Sequence, residues 1–290
     1  MNLYVTTQEL KDFGVSGSDT LIAMFNKMAT DVVNGIIGVS DLSLHKVTDE
    51  VHDAGQSDIN GQFIELFDTP IVAIGKIMDG DNEYTQDEDY DILLSRVRLE
   101  DWLTAGPRKT KVTYAAGYHA YGYAKISITD LANLAANATI TLGAISTDGY
   151  TLTRGTGWNP AASSEAEAIN LAAAIQAQAG TNAFALGSDV YVIESTNPQV
   201  VGRTIATSDS VRLALSGSTL TLPEDNKKRM PESIRLAVMI YVANLMVSRK
   251  SPKIKSYTVG SKTVSFASDA EFNQFNDLLK PFRKVGVKAI

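Results

Sequence analysis

Histidines and clustered carboxylates are the residues of this 290-residue chain that by type and spacing are candidates for metal binding or catalysis. There are three histidines and no cysteine, so a thiol nucleophile or a cysteine-held metal is excluded. His45 and His52 are seven residues apart, a spacing that could place both on one helical face as metal ligands. Gly55 and the acidic residues around them are more typical of an exposed loop. We therefore expect a loop here and no metal site.

The acidic segment 79–89 raises the possibility of a calcium site. It does not fit the EF-hand pattern, because Tyr84 takes the sixth position, where glycine is required, and Tyr90 takes the twelfth, where a bidentate glutamate belongs. A solvated hairpin turn is the better interpretation. The chain also lacks a P-loop, a G-x-S-x-G elbow and an H-E-x-x-H motif. We therefore expect that the protein is not an enzyme and binds no cofactor. The alternative is a hydrolase whose site includes the acidic segment 79–91, but the sequence identifies no other residues that would form a cleft with this segment.

Charge is distributed unevenly along the chain. Residues 1–123 carry 9 basic and 20 acidic side chains, residues 124–222 carry 4 and 7, and residues 223–290 carry 13 and 6. The acidic N-terminal segment of one copy could associate head to tail with the basic C-terminal segment of another. The alternative is that these charges are solvated surface charges without a binding role. The overall charge of −7 argues against tight sequence-specific DNA binding but permits loose contact with DNA. Neither a membrane span nor a secretory signal is predicted.

Residues 124–222 are rich in alanine, threonine, serine and glycine, which predicts an inserted small α/β domain. Its expected strands are 139–142, 149–153, 183–186, 190–194 and 211–215, with one helix after Ser163 that ends at Gly180. The few carboxylates and the absence of histidine favour docking over catalysis. An alternative function is a carbohydrate-binding or adhesion module, in which Trp158 and Tyr150 would form an exposed aromatic platform.

Residues 1–123 and 223–290 are interpreted as one discontinuous body that the insertion interrupts. Capping boxes at Thr6 and Ser268 open its first and last helices, and a second helix runs from Ser18 to Gly38. The expected strands are 62–67, 71–78, 90–99 and 111–115, with a hairpin over 254–266. The predicted fold class is α+β: a helical body with a small antiparallel β-sheet, plus the inserted α/β domain.

Two segments near the carboxyl end are predicted to bind partners. The helix 232–249 is apolar almost all round, which suits burial between subunits. Its expected oligomer-interface residues are Ile234, Val238, Ile240, Tyr241 and Leu245. The tail alternates basic and apolar residues, which suits an extended docking arm, and a frayed solvated tail is the alternative. The expected arm residues are Phe282, Arg283, Lys284, Val285, Val287, Lys288 and Ile290.

The order of several motifs resembles the head-tail connector (adaptor) proteins of tailed bacteriophages, the gp6-like and gp15-like group. The resemblance covers the two flanks, about two-thirds of the chain. In order, the motifs are Thr6-Thr7-Gln8-Glu9-Leu10-Lys11, Gly35-Ile36-Ile37-Gly38, Asp79-Gly80, Trp102, Val112-Thr113-Tyr114-Ala115-Ala116-Gly117-Tyr118, Pro231-Glu232-Ser233-Ile234-Arg235-Leu236-Ala237-Val238 and Leu278-Leu279-Lys280-Pro281-Phe282-Arg283. The insertion departs from the family, whose members have only a few residues at that place.

This resemblance implies a structural virion protein with a helical adaptor body. It implies a ring of copies, twelvefold like the portal above it, between the portal and the next neck or tail protein. Packaged double-stranded DNA would pass through the ring with non-specific contact. The protein would be located in the neck of the virion after assembly in the host cytoplasm, with its arm docked on the portal. No membrane takes part.

Overall fold

The computed structural model describes residues 3–39, 41–52, 63–86, 89–93, 96–100, 109–144, 148–195, 202–224, 228–248, 255–259, 262–266 and 268–283. The chain divides into two compact units. We call Met1–Ser43 with Arg229–Ile290 the terminal unit, and Leu44–Lys228 the central unit.

The helices are α1 (Thr7–Asp12), α2 (Asp19–Ile37), α3 (Ser164–Gln176), α4 (Glu232–Ser248) and α5 (Asp269–Leu279). The strands are β1 (His45–His52), β2 (Phe63–Glu65), β3 (Ile71–Asp79), β4 (Asn82–Tyr84), β5 (Tyr90–Ile92), β6 (Arg96–Leu99), β7 (Thr110–Ala116), β8 (Tyr123–Ile128), β9 (Thr139–Leu142), β10 (Tyr150–Thr153), β11 (Thr181–Leu186), β12 (Asp189–Glu194), β13 (Ile205–Thr207), β14 (Leu213–Leu215), β15 (Lys255–Val259) and β16 (Lys262–Phe266).

Capping residues fix the helix boundaries of the terminal unit. Thr6 and Glu9 form the predicted capping box of α1, with the Glu9 amide donating to Thr6 Oγ1 at 3.0 Å and the Thr6 amide donating to Glu9 Oε2 at 2.8 Å. Ser18 caps α2, and Gly38 ends it with a φ of +90°, a conformation that costs glycine little. The predicted start of α1 and the predicted start and end of α2 are confirmed.

The core of the terminal unit lies between α2 and α4, with α5 packed against α4. The α2 residues Ile22, Phe25, Ala29 and Val33 are buried and recur at helical spacing. Tyr4 is also fully buried and donates its hydroxyl to Asn34 Oδ1 at 2.6 Å. The polar tip of the tyrosine is therefore satisfied inside an apolar core.

Two antiparallel sheets make up the first part of the central unit. One has the strand order β1-β7-β3-β4 and the other β2-β6-β5. Their shared core includes Ile64, Ile77, Val97, Val112 and Tyr114, each at most 2% exposed. The predicted strand 90–99 is in fact two strands, β5 and β6, which pair with each other.

The second part of the central unit contains the sheets β11-β12-β8-β14 and β10-β9-β13. Helix α3 packs against β11, β12 and β8. The core of this part draws all its residues from Ala124 to Leu220. Tyr123 and Thr221 exchange two backbone hydrogen bonds of 3.0 Å, so the chain enters and leaves this part at adjacent points.

These two parts pack together within the central unit. Leu186 of β11 lies over Gly75 of β3, where an added Cβ would come within 2.5 Å of Leu186 Cδ1. Glycine at position 75 therefore permits a close approach of the two sheets. The compact unit consequently spans 44–228, and the predicted division into 1–123 with 223–290 and 124–222 stays a prediction.

The predicted fold class is wrong. Strand accounts for 36% and helix for 30% of the described structure, in four antiparallel sheets of three or more strands and one hairpin. A helical body with one small sheet does not describe this fold. The difference arises mainly between Leu44 and Tyr123, where a loop and a turn were expected in place of the polar strand β1 and the short strand β4, and where the strands form two sheets instead of one.

Candidate functional site

Helix α4 carries the predicted oligomer-interface residues. Four of them, Ile234, Val238, Ile240 and Tyr241, are at most 8% exposed in the single chain, and Leu245 is half-buried. The Tyr241 ring lies 5.5 Å from those of Phe266 and Phe275, and burial raises the pKa of its hydroxyl. The chain itself therefore covers most of this helix, and a contribution from neighbouring subunits stays a prediction.

Arg235 joins two motifs that are more than 200 residues apart in sequence. It donates from Nη2 to Glu9 of the capping box, and from Nη1 to Glu232 Oε2 at 2.6 Å. It also reaches the Tyr4 carbonyl from Nε at 3.4 Å. The opening Thr-x-x-Glu motif and the Pro-Glu-x-Ile-Arg motif thus meet in one ion-pair network inside the terminal unit.

Helix α2 leaves apolar side chains on its outer face. Met24 is 50% exposed and Met28, one turn later, is 46% exposed. Leu21 and Val32 continue the same line and are half-buried. Together these residues form a small apolar patch on the surface of α2. Apolar residues at helical spacing are typical of a face that packs into the core, so the exposure of Met24 and Met28 does not follow from the sequence.

The predicted docking arm lies mostly outside the described residues. Phe282 ends a short 3-10 turn over Lys280–Phe282 and is half-buried, and Arg283 donates from Nη2 to Asn276 Oδ1. The other predicted arm residues, Lys284, Val285, Val287, Lys288 and Ile290, fall in the part of the chain that is not described.

His45 and His52 lie at the two ends of β1, so the expectation of an exposed loop is wrong. Seven steps along a strand separate them by about 23 Å, which excludes a shared metal. His45 Nε2 lies 3.1 Å from Asp68 Oδ2, and His52 Nε2 lies 2.8 Å from Glu50 Oε1. Among the described residues, no group of three or more histidines and carboxylates could hold a metal ion.

Glu50 is the centre of a buried polar cluster in the central unit. Its Oε1 accepts the Phe67 amide at 3.0 Å, and its Oε2 accepts the Tyr114 hydroxyl, which in turn accepts the Asp68 amide at 3.1 Å. Burial and the bond to Glu50 raise the pKa of Tyr114. The cluster ties residues 66–68 to β1 and β7, a structural role.

The acidic turn at 79–89 is only partly solvated. Asp79 is 1% exposed and accepts the Thr110 hydroxyl at 2.8 Å, so it belongs to the sheet. Gly80 and Asp81 join β3 to β4, and Asp81, Asn82 and Glu83 are exposed. Residues 87–88 lie outside the described chain. The hairpin predicted at Asp79-Gly80 is confirmed.

Trp158 is buried, which removes the predicted carbohydrate platform. It is 3% exposed and donates its indole N–H to Glu167 Oε1 at 2.7 Å. Glu167 also accepts from Arg154 Nε at 2.8 Å and from the Ala161 amide at 2.6 Å. Burial alone would raise the pKa of Glu167, but its bonds from Arg154 and Trp158 hold that pKa below its usual value.

A second buried ion network, also unforeseen, is centred on Arg203. Its guanidinium is fully buried, donating to Glu194 Oε2 from Nε and to Asp148 Oδ2 from Nη2, each at 2.5 Å. A third bond reaches the Gly143 carbonyl at 2.9 Å. No sequence motif marks this network, because its members come from separate elements.

No protein-family model matches the chain, and no curated protein matches it in sequence. Within the described residues, no helix is both long and apolar enough to cross a membrane.

Proposed function

We propose that this protein is a structural component of a bacteriophage virion, a head-tail connector adaptor. Copies of the chain form a ring between the portal and the next neck or tail protein, and the packaged DNA passes through it. Binding energy comes from apolar burial between neighbouring subunits and between rings.

The observation that carries this proposal is the Arg235 network. Two motifs of the connector resemblance lie far apart in the sequence, and Glu9 and Arg235 join them directly. Sequence order alone could arise by chance. The ion pair brings the two motifs together in one compact unit, which supports an interpretation of the two flanks as parts of one body.

Two further observations agree with a role in assembly. Met24 and Met28 are exposed on a helix whose other face is well packed. The buried polar residues, Glu50, Glu167 and Arg203, all serve to fix local structure. The exposed aromatic platform of the alternative carbohydrate-binding function is not formed, since Trp158 is buried.

Co-sedimentation with the portal ring of the same phage tests the proposal. We expect the full chain to sediment with the portal at low salt, and less of it to do so as salt screens the basic tail. A truncation after Arg283 removes residues 284–290 and keeps the contact between Arg283 and Asn276. This variant should fold but lose portal binding. Failure of the full chain to bind the portal contradicts the proposed function.

A further inference from the structure

Three polar side chains lie in a row on the buried face of α2. Asn26 and Thr30 are 0% exposed and Asn34 is 2% exposed. Each is four residues from the next, so all three lie on one side of the helix. We call these three residues the polar seam. The buried residues beside them, such as Ala29 and Val33, are apolar. Polar groups in such a core are stable only where they find hydrogen-bond partners.

The two ends of the polar seam hold the amino-terminal segment of the terminal unit. Asn26 donates from Nδ2 to the Val5 carbonyl at 2.6 Å, and Asn34 Oδ1 accepts the Tyr4 hydroxyl at 2.6 Å. Tyr4 and Val5 are both 0% exposed, and they belong to no helix or strand. The polar seam therefore anchors a buried segment that has no regular backbone pairing of its own.

The middle of the polar seam carries two unsatisfied atoms. Asn26 Oδ1 and Thr30 Oγ1 are both enclosed, and neither has a hydrogen-bond partner in the described part of the chain. Side chains four residues apart are neighbours on a helix surface. An amide oxygen only accepts, whereas a threonine hydroxyl both donates and accepts. One small molecule that donates and accepts can therefore satisfy both atoms.

We propose that the polar seam binds one buried water molecule between Asn26 and Thr30. The water donates to Asn26 Oδ1 and accepts the hydrogen of the Thr30 hydroxyl. Buried waters in proteins bind in this way to polar groups that no other part of the chain satisfies. The two side chains are uncharged, which favours water over an ion. By holding Oδ1, the water fixes the orientation of the amide whose Nδ2 anchors Val5. This inference does not depend on the connector function.

A crystal structure of the full chain, at a resolution that shows ordered water, tests the proposal directly. We expect a water within about 3.2 Å of both Asn26 Oδ1 and Thr30 Oγ1. The water should remain in Thr30→Ser, which keeps the hydroxyl, and should be lost from Thr30→Val. A direct hydrogen bond between Thr30 and Asn26, or density that shows no water between them, overturns the proposal.

Unfolding in urea gives an independent measurement, because the sign of the change depends on the water. Thr30→Val keeps the shape of the side chain and removes the hydroxyl. With the water bound, this change removes one of its two anchors, so the unfolding equilibrium constant should rise about fivefold. Without the water, the change removes an unsatisfied buried hydroxyl, and the variant should be more stable than the wild type. A more stable variant therefore overturns the proposal.

Far-ultraviolet circular dichroism follows this unfolding, since α1, α2, α4 and α5 all belong to the terminal unit. The matched control is Thr20→Val, which makes the same change on the same helix at an exposed position. Its urea midpoint should equal that of the wild type. An equal loss of stability in both variants overturns the proposal, because the effect would then come from valine in the helix and not from the buried hydroxyl.

Discussion

His119 has different surroundings from the other two histidines of the chain. His45 and His52 each lie beside a carboxylate, whereas His119 is 2% exposed and its Nε2 has no hydrogen-bond partner among the described residues. The His119 ring packs against Tyr123 with centroids 4.2 Å apart. Burial, with a smaller effect of nearby Lys228, lowers the pKa of His119 to about 4.

His119 should make the central unit sensitive to acid. Between its unfolded pKa, about 6.5, and its folded pKa, only the unfolded chain binds the proton, so stability falls as pH falls. The loss from this group approaches about 3 kcal/mol near pH 4. We expect His119→Phe, which keeps a ring against Tyr123, to flatten the stability curve between pH 6.5 and 4.

Urea unfolding over that pH range measures this effect. Trp158 is buried in the central unit, so its fluorescence follows the unfolding of that unit. The relevant quantity is the difference between the wild-type and variant curves, because carboxylates contribute equally to both. Parallel curves would contradict the prediction, because they would show that His119 has the same pKa in the folded and the unfolded protein.

At the scale of single elements, α3 depends on one buried carboxylate. Glu167 and Glu165 both lie in the first turn of α3, but only Glu167 is buried with Arg154 and Trp158. Glu167→Gln leaves the Arg154 guanidinium without its charge partner and should destabilise the central unit by about 3 kcal/mol.

Glu165→Gln is the matched control, because it removes the same charge from the same helix turn at an exposed position. Its expected cost is about 0.5 kcal/mol, from the helix dipole alone. Urea midpoints followed by tryptophan fluorescence give both values. Equal costs for the two variants would mean that the buried network adds no stability.

Local signals predicted the helices better than the strands. A capping box, a serine cap and a terminal glycine act over a few residues, so the start of α1 and both bounds of α2 follow from the sequence. Strand β1 carries the polar sequence His-Lys-Val-Thr-Asp-Glu-Val-His, and Glu50 in its middle is buried only because Tyr114, His52 and Phe67 supply hydrogen bonds. Hydrogen bonds from residues that are distant in the sequence leave no pattern in the sequence of the strand itself.

Only part of the candidate site could be predicted, because the sequence pattern of a helix does not show which other elements cover it. Sequence periodicity shows that α4 is apolar on all sides, but it does not tell whether α2 and α5 or a second subunit cover it. The converse holds for α2, whose apolar patch at Met24 and Met28 has the periodicity of a core face and yet is exposed. Trp158 was expected on the surface, and its burial depends on Glu167, nine residues away.

At the scale of the whole molecule, residues 123–222 should fold alone. Their core uses no residue from outside this range, and Tyr123 pairs with Thr221 where the segment begins and ends. We expect the isolated fragment to unfold cooperatively in urea, reported by Trp158. Its stability should be lower than that of the central unit, because the contact of Leu186 with Gly75 is lost. A fragment without a cooperative transition contradicts an independent domain.

The proposed connector function requires that copies of the chain assemble into a closed ring. Negative-stain electron microscopy of the purified protein tests this most directly, since class averages show symmetry and the presence of a central opening. The connector function predicts closed rings of one subunit number around an open channel. Particles that are monomeric, or that grow as open filaments at all protein concentrations, would contradict it.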